Sequence, residues 1–267
     1  MAAPARQRSL VVPREHGAWG LLLVPLAAGA GVGLLAGGRG SGLAPLAMLA
    51  VALFWLRTPV ESWAGTAAVR ANSAGEKRLV RRAALGLAAI AAAAGLWLFW
   101  GGRNGKLVWI GGIAAAAFLA QGVVKRLAPG ARGAAQTIGA AGLTATAPAA
   151  YYAATGALIG TAWALWAANF LFAANQIHFV QLRIRAAHLK SRREIARTGW
   201  GFLAGQAVLM ALLPLFGGRA AAAFLPILLR GFAFFAAKPG RLRIHRLGKT
   251  ELAYGCLFGV LLIAGMG

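Results

Sequence analysis

The lysine and arginine residues of this chain are concentrated in alternate segments between its apolar stretches. Of the 28 Lys and Arg residues, 23 lie in five segments: the N-terminus, 57–82, 125–132, 183–197 and 238–249. The other five are scattered: Arg39, Arg103, Lys106, Arg219 and, inside an apolar stretch, Arg230. Cytoplasmic loops of multi-span membrane proteins accumulate Lys and Arg, whereas translocated loops do not. The pattern therefore predicts a multi-pass membrane protein with the five basic segments in the cytoplasm.

The apolar stretches between these segments predict nine helices. They cover about 17–37, 43–57, 83–101, 107–124, 137–156, 158–180, 200–217, 220–237 and 250–266. A spanning helix takes about 20 residues, so nine of them leave no room for a soluble domain in a chain of this length. We therefore expect an all-α, polytopic bundle that forms a single transmembrane domain over 1–267. Its N-terminus is expected in the cytoplasm and its C-terminus outside, with the first helix retained rather than cleaved as a signal peptide.

The net charge of +23 has two readings, nucleic-acid binding or contact with lipid headgroups. The basic residues flank apolar stretches of membrane-spanning length, and 60% of the chain is hydrophobic. Anionic headgroups attract such juxtamembrane cations by about 1 kcal/mol for each residue. We therefore expect the partner to be a bilayer with anionic headgroups, and no nucleic acid.

The chain has no aspartate, and its five glutamates and four histidines all fall on the predicted cytoplasmic side. Three of the glutamates complete the pattern S/T-x-x-E, in which a hydroxyl and a glutamate cap a helix N-terminus reciprocally. These are Thr58 with Glu61, Ser73 with Glu76, and Ser191 with Glu194. We interpret all three as helix caps rather than as catalytic acids.

Glu15, His16 and His178 are the candidate catalytic groups. Glu15 and His16 lie directly before the first apolar stretch, where a carboxylate can orient an imidazole. His178 belongs to a polar series in the sixth predicted helix, in which Asn175, His178, Leu182 and Arg185 share one broad face. Polar residues inside a span usually face the bundle interior or a wet cavity. A lipid-facing cluster without a ligand is the alternative for Glu15 and His16.

A second set of residues predicts a site for an anion. Arginine binds phosphate through paired N–H donors, and the predicted cytoplasmic segments offer several such side chains. With the amide of Asn175, the candidate substrate-binding residues are Arg57, Arg70, Arg183, Arg185, Arg243 and Arg246. The same cations could equally serve only to orient the chain in the membrane.

Two stretches, Pro13-Arg14-Glu15-His16-Gly17-Ala18-Trp19 and Arg246-Leu247-Gly248-Lys249-Thr250-Glu251-Leu252-Ala253, resemble the YwiC-like family of bacterial membrane proteins. The resemblance implies an integral protein of the bacterial cytoplasmic (inner) membrane. It covers both ends of the chain.

The architecture is similar to that of the UbiA prenyltransferase superfamily, which has nine helices and polar cytoplasmic segments after helices two and six. In that superfamily, Asp-rich motifs in these segments hold Mg²⁺ and a prenyl diphosphate. The corresponding places here are Arg57–Arg70, with Glu61, and Asn175–Gln181, and neither contains aspartate. Because Mg²⁺ prefers carboxylate oxygens, we do not expect the classical Asp-bound Mg²⁺, and we assign no metal or other cofactor.

These observations leave three functions open. The first is a UbiA-like bundle with a cytoplasm-facing cavity for an amphiphile with an anionic head: an isoprenoid diphosphate, a quinone precursor or a phospholipid. Such a protein could transfer a prenyl group without the usual metal site. The second is a small transporter or permease, and the third is a non-catalytic accessory subunit of a respiratory or quinone-linked complex.

Overall fold

The computed structural model of the chain describes residues 3–13, 16–65, 67, 69–102, 105–128, 130–189, 191–236 and 242–267. Within these residues the regular structure consists of helices, with no strand. The first six helices are α1 (Ala3–Val11), α2 (His16–Leu35), α3 (Leu43–Trp63), α4 (Ala74–Trp100), α5 (Gly105–Leu127) and α6 (Arg132–Thr144). The other six are α7 (Thr146–Thr155), α8 (Gly160–Arg185), α9 (Arg192–Leu212), α10 (Gly218–Ala221), α11 (Leu225–Ala236) and α12 (Ile244–Met266). The prediction of an all-α membrane bundle is confirmed.

Seven segments of the described chain are long and apolar enough to cross a membrane. They are Gly17–Leu35, Gly40–Trp63, Ala74–Trp100, Gly105–Leu127, Arg192–Phe216, Gly218–Ala236 and Ile244–Met266. The predicted number of nine is therefore not confirmed by length and composition. The predicted fifth and sixth helices are the two that these criteria leave out. The fifth is divided at Ala145 into α6 and α7, and the sixth, α8, carries the polar series.

The chain divides into two compact units, Met1–His16 with Arg39–Asn104, and Gly17–Gly38 with Gly105–Gly267. In the first unit α3 packs along α4, and α1 contacts both. Leu10 of α1 is fully buried against Ala71 and Val80. The indole of Trp55 donates a hydrogen bond of 2.8 Å to the carbonyl of Val11.

An ion pair also holds α1 to the start of α4. Arg6 Nε lies 2.6 Å from Glu76 Oε1, and Arg6 Nη2 donates to the carbonyl of Arg70 at 3.1 Å. The hydrogen bond and the charge of Glu76 raise the pKa of the Arg6 guanidinium above its usual value. Glu76 therefore binds a cation in addition to capping a helix.

Two of the three predicted helix caps are confirmed. Ser73 and Glu76 form a capping box at the start of α4, and Ser191 and Glu194 form another at the start of α9. The cap predicted at Thr58 is wrong because α3 continues through Pro59 to Trp63. Glu61 instead accepts a hydrogen bond of 2.9 Å from Arg57, one helical turn earlier.

In the second unit, an extended apolar cluster joins α2 and α7 to α12. Its centre is aromatic: the rings of Phe172 and Phe258 are stacked with centroids 4.2 Å apart, and Phe224 contacts Phe258 edge-on. Helix α2 lies so close to α7 that a Cβ on Gly29 would overlap the carbonyl oxygen of Ala147. Small residues permit this kind of close helix approach within a membrane.

Candidate functional site

The clearest polar surface of the second unit lies between α6 and α8. The two helices are antiparallel, since Gln136 and Thr137 meet Gln181 and His178, and Ala141 meets Trp166. Gln181 Nε2 donates to Gln136 Oε1 at 2.7 Å, and His178 Nε2 lies 3.3 Å from Thr137 Oγ1. These contacts place four polar side chains at the Arg185 end of α8.

The Thr137 hydroxyl contacts both its own helix and His178. Thr137 Oγ1 lies 3.0 Å from the carbonyl oxygen of Gly133 and 3.3 Å from His178 Nε2. The hydroxyl can accept from a protonated Nε2 or donate to an unprotonated one, depending on the tautomer of the imidazole. His178 itself is exposed.

Two arginines flank these side chains. Gln181 and Arg185 follow His178 at three and seven residues, so the three lie along one face of α8. Arg132 is the first residue of α6, whose N-terminus has no side-chain cap. Free N–H groups at a helix N-terminus favour an anion. We call this set the polar α6–α8 surface: Arg132, Gln136, Thr137, His178, Gln181 and Arg185.

The neighbouring, buried side of α8 contributes Asn175 to a second polar cluster, whose other members are Gln206, Arg230 and Glu251. Arg230 Nη1 forms an ion pair with Glu251 Oε2, and the two side chains are only 7% and 8% exposed. Arg230 Nη2 also donates to Asn175 Oδ1 at 3.0 Å. Asn175 Nδ2 in turn donates to Gln206 Oε1 at 2.6 Å, so α8, α9, α11 and α12 are linked.

Aromatic rings surround the buried cation. The guanidinium of Arg230 lies 4.0 Å from the ring centroid of Phe179 and 5.1 Å from that of Tyr254. Phe179 contacts Phe234 edge-on, and the guanidinium of Arg183 lies 5.3 Å from the Phe234 centroid. Arg183 thus contacts the aromatic wall of the cluster rather than the cluster itself.

The predicted shared face of α8 therefore divides in two. Asn175 and Leu182 are buried, whereas His178 and Arg185 are exposed. The structure brings Asn175 to Arg230, and it brings His178 and Arg185 to the polar α6–α8 surface.

The other predicted site residues lie elsewhere. Arg57 is paired with Glu61, and Arg70 is exposed; both belong to the first unit. Arg243 and Arg246 are exposed at the start of α12. The backbone of His16 begins α2, but its side chain and the whole of Glu15 lie outside what the structure describes. Within the described residues, no three His, Cys, Asp or Glu side chains come together as a metal site.

Sequence reasoning assigned no role to Gln206, Arg230 or Glu251. Arg230 did carry a signal, since it is the single cation inside a long apolar stretch and a buried cation requires an anionic partner. Glu251 lies within an apolar stretch too, near its start. Gln206 carried no signal beyond its polarity.

Seven candidate spans, in a chain whose described regular structure is helical, define a multi-pass membrane protein. Residues 12–151 match the sequence model of the YwiC-like protein family, which is more than half of the chain, and the protein belongs to that family. The matched region includes the Pro13–Trp19 stretch but not Arg246–Ala253. Comparison with the curated proteins found no match, and neither did comparison with the solved structures.

Proposed function

We propose that this protein of the bacterial inner membrane binds the anionic headgroup of an amphiphile at the cytoplasmic end of α6 and α8. The observation that carries the proposal is the polar α6–α8 surface, where His178 and Gln181 are hydrogen-bonded to α6 beside two exposed arginines. Along both helices the sequence changes from charged residues at this end to apolar residues further along, as an interfacial binding site requires.

The charge pattern supports the orientation. The basic segment 125–132 ends at the first residue of α6, and the basic segment 183–197 begins in the last turn of α8, so the positive-inside rule assigns both helix ends to the cytoplasm. The chain between them then crosses the membrane an even number of times. Helix α8 has 26 residues and extends about 39 Å, and α6 with α7 extends about 36 Å, so each is long enough to span. We propose that they cross the membrane in addition to the seven candidate spans, which keeps the predicted count of nine with a cytoplasmic N-terminus and an external C-terminus.

The chemistry of the surface matches a phosphate-containing head. Arg132 and Arg185 supply charged donors, Gln136 and Gln181 supply amide groups, and the start of α6 supplies backbone N–H groups. The apolar tail would lie along outward-facing side chains. Helix α5 packs beside α6, and only 11% of its most apolar part is buried. It therefore offers an exposed apolar surface for the tail. An isoprenoid diphosphate, a quinone precursor and a phospholipid all have this combination of head and tail.

His178 gives this site a candidate acid–base group. In the tautomer whose Nε2–H faces Thr137, Nδ1 can accept a proton from a nucleophilic hydroxyl. A prenyl transfer that uses arginines in place of the Asp-bound Mg²⁺ is the reaction that fits this arrangement. The roles predicted for Glu15, His16, Arg57, Arg70, Arg183, Arg243 and Arg246 stay predictions, and the proposed site does not depend on them.

The test is a binding assay on protein purified into nanodiscs, with farnesyl diphosphate, phosphatidylglycerol and inorganic diphosphate as separate probes. A charge-assisted hydrogen bond contributes about 1.5–3 kcal/mol, so Arg185→Gln and Arg132→Gln should each weaken binding about 10- to 100-fold. Arg219→Gln is the matched control, because Arg219 lies at the other end of the bundle and contacts the carbonyl of Ala264. Equal losses in Arg185→Gln and Arg219→Gln would refute the site. Diphosphate release with a prenyl acceptor present would assign the transferase activity.

One observation favours transport as a second candidate function. The Arg230–Glu251 pair is buried within two candidate spans, and ionisable groups at such positions often line ion or substrate pathways. Substrate-dependent flux in liposomes that is lost in Glu251→Gln but kept in Arg185→Gln would support transport over headgroup binding.

A further inference from the structure

The ion pair between Arg230 and Glu251 is buried within two candidate spans. Glu251 is the eighth residue of α12, about 10 Å along the axis from the helix start. Arg230 is the sixth of the 12 residues of α11 and lies about 9 Å from the helix end. Helix α11 ends just before the basic segment 238–249, and α12 begins within it; the charge pattern assigns this segment to the cytoplasm. The pair therefore lies near the cytoplasmic ends of the two candidate spans.

The carboxylate of Glu251 is only half satisfied. Oε2 binds Arg230, but Oε1 is buried and has no hydrogen-bond partner. The amide of Gln176 donates to the backbone carbonyl of Glu251 at 2.7 Å and also lies close to its carboxylate. On the other side of the pair, Arg230 Nε is buried and also has no partner. A buried charge normally has all its hydrogen-bonding atoms paired, because an unpaired charged group is costly in a low-dielectric interior.

Few charged groups face Glu251. From α8 it is approached by the amides of Asn175 and Gln176 and, at longer range, by Arg183. Helix α9 contributes Gln206, α11 contributes Arg230, and α12 itself contributes Tyr254. Helix α2 packs against α12 through Gly20 and Val24, and its residues 17–35 include no titratable group. Helix α10 contributes only Arg219, at the far end of α12.

We propose that Glu251 is a proton-binding site within the membrane, with Oε1 as the atom that takes the proton. The proton comes from water on the cytoplasmic side, and no other bond is made or broken. Protonation turns the carboxylate into a neutral acid and so removes the charge that holds Arg230. Arg230 keeps its proton and remains bound by Asn175 and by the faces of Phe179 and Tyr254.

The consequence is a change in the charge of the buried pair. With Glu251 ionised, Arg230 is neutralised by the protein itself. With Glu251 protonated, Arg230 is a cation whose remaining described contacts are the amide of Asn175 and the aromatic rings. The buried polar cluster shares no residue with the polar α6–α8 surface, so failure of one proposal leaves the other standing.

The experiment is pH-difference infrared spectroscopy on the full chain in nanodiscs between about pH 8 and about pH 5. The wild type should lose a carboxylate stretch and gain the C=O stretch of a buried, protonated carboxyl group. Glu251→Gln keeps the shape and an acceptor for Arg230, and it should abolish that band. Glu194→Gln, which alters an exposed cap glutamate, should leave the band unchanged. A band that survives Glu251→Gln, or no buried carboxyl band in the wild type, would overturn the proposal.

A second variant keeps the test decisive should Glu251→Gln fail to fold. Arg230→Gln removes the cation that forms the ion pair with Glu251 and leaves its carboxyl group in place. The same band should then appear at higher pH, with its midpoint moved by at least about one pH unit. A midpoint that does not move would show that the band belongs to another group, which also contradicts the proposal.

Discussion

Replacing Arg230 with methionine removes the cation that neutralises Glu251 while keeping most of the apolar stem. Both side chains of this pair are more than nine-tenths buried, so water cannot take the place of the lost partner. Breaking a buried ion pair by removing one partner costs about 3–5 kcal/mol. The substitution also leaves Asn175 Oδ1 without the Arg230 hydrogen bond and Phe179 without its cation. We therefore expect the free energy of unfolding of Arg230→Met to fall by about 3–5 kcal/mol.

The double variant Arg230→Met/Glu251→Leu removes both charges. It therefore distinguishes the free energy lost with the pair from the cost of leaving one buried charge unpaired. Apolar residues of similar volume often replace a buried pair at little cost, so the double variant should be more stable than Arg230→Met alone. The Arg57–Glu61 pair is the control, since its two side chains are 19% and 31% exposed and its residues lie one helical turn apart. Its coupling energy should be only about 0.3–0.5 kcal/mol. The assay is reversible unfolding with sodium dodecyl sulfate in mixed micelles. Arg230→Met within about 1 kcal/mol of the wild type would refute this reasoning.

Three further predictions concern the fold. Gly29→Leu places a side chain against the backbone of Ala147 and should prevent α2 from docking on α7. The expected result is a loss of monodisperse protein in size-exclusion chromatography. Gly86→Leu, at an open position, is the control. Ser73→Ala should lower the free energy of unfolding by about 1 kcal/mol, whereas Thr58→Ala should change it by less than about 0.5 kcal/mol because Thr58 caps no helix. Arg6→Gln should speed amide hydrogen exchange in Ala3–Val11, and unchanged exchange would show that the Arg6–Glu76 pair does not hold α1.

The parts of the fold that depend on local sequence were predictable. Alternating basic segments identified the membrane class, and apolar stretches located all the long helices to within several residues. Ser73–Glu76 and Ser191–Glu194 form the predicted caps because each serine directly precedes the first residue of a helix. Thr58–Glu61 has the same pattern but lies inside α3, since the apolar stretch before it already forms a helix that Pro59 does not end.

The buried polar cluster depends on contacts that one sequence does not reveal. Asn175 was a candidate because it is polar within an apolar stretch, and it is indeed buried. Its partners Gln206 and Arg230 lie 31 and 55 residues later, on other helices. The rule that buried polar groups are paired predicts that partners exist but does not say which residues they are. The divided face of α8 was unpredictable for the same reason, because only the packing of its neighbours decides which side is buried.

The central claim is that an anionic headgroup binds at the polar α6–α8 surface, and photo-crosslinking tests it most directly. A photoreactive prenyl diphosphate would be bound to the protein in nanodiscs, irradiated, and its adducts mapped by peptide mass spectrometry. We expect adducts on α6 and the Arg185 end of α8 that are displaced by excess farnesyl diphosphate and reduced in Arg185→Gln. Adducts confined to other helices, or adducts that excess ligand does not displace, would contradict the account.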